Sequence, residues 1–344
     1  MARIAIVTNS LSGGGAERAM NILANELHRL NHEVTVFAIN DTEPDAITLT
    51  CSVVEIGRPW RGSVLDTVKS WMIFQEKIRE IQPNIVILNC DLPEFYGALT
   101  PMRATLVAVE HVNHPWRNRE LFGRLIRFIL KIRGTKWVAV SDHLGIWPSN
   151  HSPHKVIFNP ISEIGKSESR SAAPIKRLVF IGRLTFQKNP DLIIQAANRV
   201  QLPVLALGDG EDGLRLFELA KELKVNFSAP GFSTYPWREI SDGDLLVIPS
   251  RYEGDGLVVI EALQRNIPFI LSDIPEFRRF GLPNLNYASG VDKFAAAIIA
   301  HQQSTAAFQV SSGIAESILS VRKIEFIGND WEKFIVELLD CPEK

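Results

Sequence analysis

Short apolar runs alternate with stretches of helical periodicity almost from end to end of this 344-residue chain, and that rhythm leaves few folds open. The strand-like runs lie at 3–8, 34–38, 85–89, 105–111, 136–141 and 155–161, and again at 177–182, 203–208, 225–228, 245–250 and 268–273. Between them, residues 17–30 set Met20, Leu23, Ala24, Leu27 and Leu30 on one stripe, and residues 213–223 do the same with Leu216, Leu219, Ala220 and Leu223. A strand that is apolar along its whole length must be covered on both faces, so such runs joined by helices predict parallel sheets in an α/β chain. The pattern occurs twice. One core seldom grows beyond about 300 residues, so the length agrees with two domains.

The boundaries follow from where the rhythm stops. Residues 162–176 are polar, Ser-rich and without periodicity, which places a first domain at 1–163, a linker at 164–176 and a second domain at 177–322. Residues 323–344 read as a final amphipathic helix able to pack back on the first domain, with Phe326, Trp331, Phe334, Ile335 and Leu338 apolar. Two doubly wound domains are expected to turn their strand carboxyl ends toward each other, and the crevice between them is the expected ligand site.

Composition narrows the function classes. With 37 Lys+Arg against 39 Asp+Glu the net charge is −2, so the chain is not polybasic as a whole and no stripe suits nucleic acid. Mean hydropathy is +0.04, yet no apolar run approaches the about 20 residues that span a bilayer. The start lacks the long apolar region of a signal peptide. Cys51, Cys90 and Cys341 are isolated, which suits reduced thiols in a cytoplasmic protein.

Four segments carry chemistry. In the first, Ser12-Gly13-Gly14-Gly15-Ala16-Glu17-Arg18 follows a strand and opens a helix, where backbone can approach an anion closely or merely make the turn. The second ends a strand with Gly182-Arg183-Leu184 and opens a helix with Lys188-Asn189-Pro190; an arginine can fork onto phosphate oxygens while a lysine neutralises another. Gly208-Asp209-Gly210-Glu211 sits at a third strand end. In the fourth, Glu253 and Glu261 are seven residues apart across a strand–loop–helix junction, with the helix expected to begin near Asp255. Glu261 falls among Val258, Val259, Ile260, Ala262 and Leu263, and an inward carboxylate there needs hydrogen-bond donors such as sugar hydroxyls.

Gly182-Arg183, Lys188 and Glu253-x7-Glu261 together resemble the donor site of glycosyltransferase family 4 (group 1), retaining enzymes of GT-B fold. Gly14-Gly15-Ala16-Glu17, Val140-Ser141, Val156-Ile157-Phe158-Asn159-Pro160 and Leu246-Val247-Ile248-Pro249-Ser250 agree, so the likeness runs from Met1 to about Leu271. It implies a GT-B architecture of two Rossmann-like domains. The implied activity is transfer of a sugar from a UDP- or GDP-sugar to a lipid-linked or polysaccharide acceptor in bacterial surface glycan synthesis. Arg183 and Lys188 would hold the diphosphate, Glu261 the ribose, and Glu253 the donor sugar, helped by Gly182, Asp255, Gly256 and Leu257. Gly14 and Gly15 would lie against the diphosphate and acceptor. A histidine would stand beside the transferred sugar, His111 at a strand end being preferred to His114.

No cofactor and no metal are expected. Asp242-Gly243-Asp244 spells a D-x-D but precedes a strand, away from the strand ends where the donor would lie. The chain departs from the family pattern at Asp255, expected to add charge near the donor sugar, and at Ser272-Asp273-Ile274-Pro275-Glu276-Phe277, where a Gly-Gly turn is common. Two other classes share the fold: a sugar-nucleotide epimerase, which needs no acceptor, and an inactive partner subunit.

Residues 117–136 stand apart. Arg117, Arg119, Arg124, Arg127, Lys131, Arg133 and Lys136 face one acidic residue, Glu120, among many apolar side chains. Such a helix suits the anionic inner face of a cell membrane; equally, it suits packing on a sheet with a solvated basic edge.

Overall fold

Among the described residues every ladder between strands is parallel, the arrangement that continuous apolar runs require. The computed structural model describes residues 1–40, 48–117, 119–161, 173–303 and 310–340, so most of the expected linker lies outside it. The chain forms two compact units, Met1–Glu163 with Val321–Lys344, and Ile164–Ser320.

Unit 1 runs β1 (Arg3–Thr8), α1 (Gly15–Arg29), β2 (Glu33–Asn40), β3 (Ser52–Arg58), α2 (Val64–Ile81), β4 (Ile85–Asn89), α3 (Asp91–Leu99), β5 (Thr105–Glu110), α4 (Glu120–Ile132), β6 (Lys136–Ala139) and β7 (Lys155–Val156). Its sheet has the order β3-β2-β1-β4-β5-β6-β7, so the winding reverses between β1 and β4. Unit 2 runs β8 (Arg177–Ile181), α5 (Pro190–Val200), β9 (Val204–Leu207), α6 (Gly213–Glu222), β10 (Phe227–Gly231), β11 (Asp244–Ile248), α7 (Leu257–Gln264), β12 (Phe269–Ser272), α8 (Pro275–Arg278), β13 (Tyr287–Ala288), α9 (Val291–Gln303) and α10 (Ser312–Ser320). The order here is β10-β9-β8-β11-β12-β13, with the reversal between β8 and β11. A last helix, α11 (Ile324–Asp340), belongs to unit 1 and packs on α1.

The cores explain the pattern. On one face of the first sheet Met20, Leu23 and Leu27 of α1 and Ile327, Trp331 and Ile335 of α11 cover Ile4, Ile6 and Ile87. On the other, Phe74 and Ile78 of α2, Tyr96 of α3 and Ile126 and Leu130 of α4 cover Val7, Phe37 and Leu88. In unit 2, Ile193 of α5, Leu216 of α6 and Phe294 of α9 share a core with Leu178, Phe180 and Val247.

Some elements differ from expectation. The run at 155–161 pairs only over Lys155–Val156, and the strand expected at 225–228 lies at Phe227–Gly231. The edge strands β3 and β13 were not foreseen; β3 exposes most of its residues, so it has no continuous apolar run. The helix expected to start near Asp255 starts at Leu257, because Gly256 adopts φ +66° and caps it in the left-handed region.

Candidate functional site

In a doubly wound sheet the crevice for ligands lies outside the strand carboxyl ends where the winding reverses. In unit 2 that point is flanked by the loops after β8 and β11. Lys188 comes from the first and Glu253 from the second, and they meet: Lys188 Nζ donates to Glu253 Oε1 at 2.6 Å. Glu253 is buried and its Oε1 also accepts from the Ser250 hydroxyl at 2.7 Å. A buried carboxylate requires such partners.

The two loops are stitched by further bonds. Asn189 Nδ2 donates to the Pro249 carbonyl at 3.1 Å, Arg251 Nη1 donates to Asn189 Oδ1 at 2.8 Å, and the Arg251 amide donates to the Gln187 carbonyl at 2.8 Å. Arg251 also lies over the Phe186 ring at 4.1 Å. Asn189 adopts φ +53° and Pro190 opens α5, so the chain turns sharply just after Lys188. Arg183, in the same loop, is exposed and makes no ion pair among the described residues.

Glycines let the β8 and β9 loops touch backbone to backbone. Leu184 donates to the Asp209 carbonyl at 2.9 Å and Asp212 to the Leu184 carbonyl at 3.0 Å. A Cβ on Gly208, which has φ +154°, would fall on the Gly182 carbonyl oxygen, whereas one on Gly182 would meet no atom closer than 3.6 Å. Gly208→Ala is therefore expected to cost about 1–3 kcal/mol in urea unfolding, and Gly182→Ala less.

Glu261 sits differently from expectation. It is half-buried rather than enclosed, on the first turns of α7, and its Oε2 accepts from Trp237 Nε1 at 3.2 Å. Arg265 stacks over that indole at 4.7 Å and bonds the Glu261 carbonyl at 2.9 Å. Trp237 was missed because Glu261 lies 24 positions further along the chain and no local signal links the two. Asp255 corrects a second expectation. It is buried and paired with Arg279 at 2.8 Å, and the same Arg279 nitrogen donates to the Asp255 carbonyl at 2.8 Å. Its charge is thus balanced within the protein and fixes the loop that leads through Gly256 into Leu257.

Asp244 of the D-x-D opens β11 and takes two bonds from Arg177, at 2.6 and 2.8 Å. At the strand's amino end it closes that edge of the sheet. Among the described residues no group of three or more His, Cys, Asp or Glu is gathered as metal ligands.

In unit 1 the reversal lies between β1 and β4. Asn89 ends β4, and its Nδ2 faces the Thr8 hydroxyl at 3.1 Å and the Ala16 carbonyl at 3.5 Å. A carbonyl only accepts, so Oδ1 turns the other way, toward His111, whose Nε2 donates to it at 2.6 Å. Asn89, unremarked in the sequence, thus joins the end of β1, the start of α1 and His111. Gly14 caps α1 with extended backbone and Gly15 is its first residue; Asn21 holds the preceding loop through the Leu11 carbonyl at 2.8 Å. His114 is exposed.

Behind His111 lies a buried ionic cluster. Arg127 meets Glu94 and Glu110 at 2.5 Å each, Trp116 Nε1 donates to Glu94 at 2.8 Å, and Arg127 lies over the Trp137 ring at 4.9 Å. Burial pushes the Glu110 carboxyl up to about 7 against the pull of Arg127, and the two carboxylates outweigh burial in raising the Arg127 pKa. Arg127 is therefore not part of a basic surface. Nor is Arg133 fully so: it donates to the carbonyls of Gly97, Ala98 and Thr100, which end α3.

Known proteins resemble this chain in sequence and fold. Residues 13–146 match the sequence model of Glycosyltransferase Family 4, and residues 165–285 match that of Glycosyl transferases group 1. The amylovoran biosynthesis glycosyltransferase AmsD of Erwinia amylovora is 24% identical over 297 residues, 79% of this chain and 81% of AmsD. The lipopolysaccharide 1,6-galactosyltransferase of Escherichia coli K12 is 24% identical over 301 residues, 79% of each chain. Among solved structures, Anabaena HepE in complex with UDP and glucose superposes with a TM-score of 0.76 at 16% identity, covering 98% of this chain and 100% of HepE. Sucrose-phosphate synthase from Thermosynechococcus elongatus gives 0.79 at 15%, covering 99% and 100%. At such identities the likeness is one of fold, the GT-B architecture of two parallel-sheet α/β domains. Because the two sequence models together take up most of the chain, one within each of its two units, the chain belongs to the group 1 GT-B glycosyltransferases.

Proposed function

We propose that the protein is a retaining, metal-independent hexosyltransferase that moves a sugar from a UDP- or GDP-sugar to a lipid-linked or polysaccharide acceptor in bacterial surface glycan synthesis. The observation that carries it is the Lys188–Glu253 pair, held between the two loops at the winding reversal of unit 2, with Arg183 exposed in the loop that supplies Lys188. Arg183 and Lys188 hold the diphosphate, with the backbone of Gly182 next to it. Glu261, oriented by Trp237, accepts from the ribose hydroxyls. Glu253 accepts from hydroxyls of the donor sugar through Oε2, and Asp255, Gly256 and Leu257 present backbone N–H groups at the start of α7. In unit 1, Gly14 and Gly15 serve the diphosphate and acceptor, and His111 stands beside the transferred sugar.

The bond from the sugar's anomeric carbon to the phosphate oxygen breaks, and the bond to the acceptor oxygen forms on the same face. The acceptor's proton passes to the departing phosphate oxygen. Negative charge grows on the diphosphate as the first bond stretches, so fixed cations there lower the barrier without a metal ion. Kinship to AmsD and to the lipopolysaccharide galactosyltransferase supports the glycan assignment.

Thermal-shift screening of UDP-, GDP- and ADP-sugars selects the donor, since a ligand bound to the native state raises the melting temperature. With that donor, Arg183→Ala and Glu261→Ala are each expected to abolish transfer in a folded protein, EDTA to leave the wild-type rate unchanged, and NMR to show the donor's anomeric configuration in the product. Full turnover by both variants, or an inverted product, overturns the reading.

A further inference from the structure

We infer that the α2–α4 layer of unit 1 is the surface by which the protein binds an anionic lipid bilayer. The α4 helix faces the sheet with Gly123, Ile126, Arg127 and Leu130, yet it carries a second apolar stripe on the opposite side. Leu121, Leu125, Phe128 and Ile132 are 85%, 54%, 60% and 70% exposed. Their spacing of four, three and four residues puts them on one line along the helix. Single exposed apolar side chains are ordinary, but a continuous line of them marks a surface made for a partner.

Exposed apolar side chains also stand on α2, which covers the same face of the sheet with α3 packed between it and α4. Phe122 packs on Phe95 of α3 with ring centroids 5.6 Å apart, and α3 in turn meets α2 through Tyr96 and Phe74, 5.6 Å apart. All three helices cover the same face of the sheet. Along α2, Val64, Leu65, Val68 and Met72 are exposed, with Trp60 and Arg61 just before its first turn; its last turns carry Glu76, Lys77, Arg79 and Glu80 instead. Every strand of the sheet is parallel, so α2 and α4 both start at the carboxyl edge. The apolar part of α2, Trp60 and the start of the α4 stripe therefore lie toward the edge that holds His111 and the glycine loop.

Charge selects the occupant. Arg117, Arg119, Arg124 and Lys131 are exposed around the α4 stripe, against Glu120 alone, in a chain of net charge −2. An apolar line flanked by cations, with an exposed tryptophan just before α2 on the same face of the sheet, matches the interface of a bilayer bearing anionic headgroups. Among the described residues no helix is long and apolar enough to cross a membrane, so the contact is peripheral. This inference does not rest on the donor assignment, because vesicle binding is read without substrate.

The test is co-sedimentation of the full chain with phosphatidylcholine vesicles, with and without phosphatidylglycerol. The protein is expected to sediment with the anionic vesicles only, less so at high salt, with a blue shift in tryptophan emission that Trp60→Phe reduces. Arg124→Glu with Lys131→Glu should weaken binding at least about tenfold, and Leu125→Asp with Phe128→Asp should abolish it, both keeping the wild-type melting temperature and nucleoside diphosphate affinity. Three results overturn the inference: no sedimentation of the wild type, undiminished sedimentation of the Asp variant, or a wild-type dimer on gel filtration that the Asp variant converts to monomer. The last would assign the stripe to a second copy of the chain.

Discussion

Lys188→Ala is expected to lower kcat by about 10²–10³-fold, the usual loss when one preorganised charge facing a developing charge is removed. The structure also makes a sharper forecast, because Lys188 has two partners in prospect. Before the donor binds, its ammonium is held by the buried carboxylate of Glu253 at 2.6 Å. A diphosphate bound as proposed would share that ammonium, and the nearby carboxylate would work against the incoming negative charge. Glu253→Gln removes the opposing charge but keeps the shape and an acceptor oxygen for Ser250. It should bind the nucleoside diphosphate as tightly as wild type, or more tightly, while transfer falls because the sugar's hydroxyls lose a charged acceptor. Lys188→Ala should do the reverse, losing nucleoside diphosphate affinity and leaving Glu253 with Ser250 alone. Calorimetry with the free nucleoside diphosphate and single-turnover rates with the nucleotide-sugar separate the two effects. A Lys188→Ala variant that binds the nucleoside diphosphate like wild type would assign the lysine to holding the β8 and β11 loops together, not to the phosphates.

The sequence was most legible where burial acts on both faces at once. β1, β4, β8 and β11 each hold an unbroken apolar run of four residues because helices cover both sides, and those strands carry the loops of the site. Lys188 and Glu253 were readable for the same reason, each lying a few residues beyond such a strand. Edge strands escaped: β3, with one neighbour and mostly exposed residues, has no such run. Partnerships between distant residues escaped too. Nothing around Trp237 points to Glu261, and nothing around Asn89 points to His111, since each pairing exists only once the chain has folded. Asp255 looked like a charge offered to the ligand because Arg279 lies 24 residues on. Arg127 was the most misleading. Its place in a basic segment suggested a surface cation, although its spacing from Gly123, Ile126 and Leu130 put it on the inward side of α4.

Arg127→Met is expected to destabilise unit 1 by about 3–5 kcal/mol, the cost of leaving buried charge without its partner. The arginine stands between Glu94 and Glu110, all three buried, and also bonds the Trp147 carbonyl at 2.9 Å. Without it two carboxylates share an apolar pocket walled by Trp116, Trp137 and Trp147. The loss should therefore be largely recovered in the triple variant Glu94→Gln, Glu110→Gln, Arg127→Met, which removes the stranded charges along with the cation. Even in the native cluster two acidic groups face one base, and this excess appears in Glu110, whose carboxyl burial raises to about 7. An unfolded glutamate titrates near about 4.3. Between those values the folded protein holds a proton that the unfolded chain has released, so this stabilising contribution is full below the unfolded pKa and is lost as pH rises through the folded one. Urea unfolding of wild type and Glu110→Gln across that window isolates it from all other titrating groups. The variant's stability relative to wild type should climb with pH and level off above about 7, where the wild-type cluster carries both negative charges. A constant difference across the window would mean that Arg127 keeps Glu110 ionised throughout.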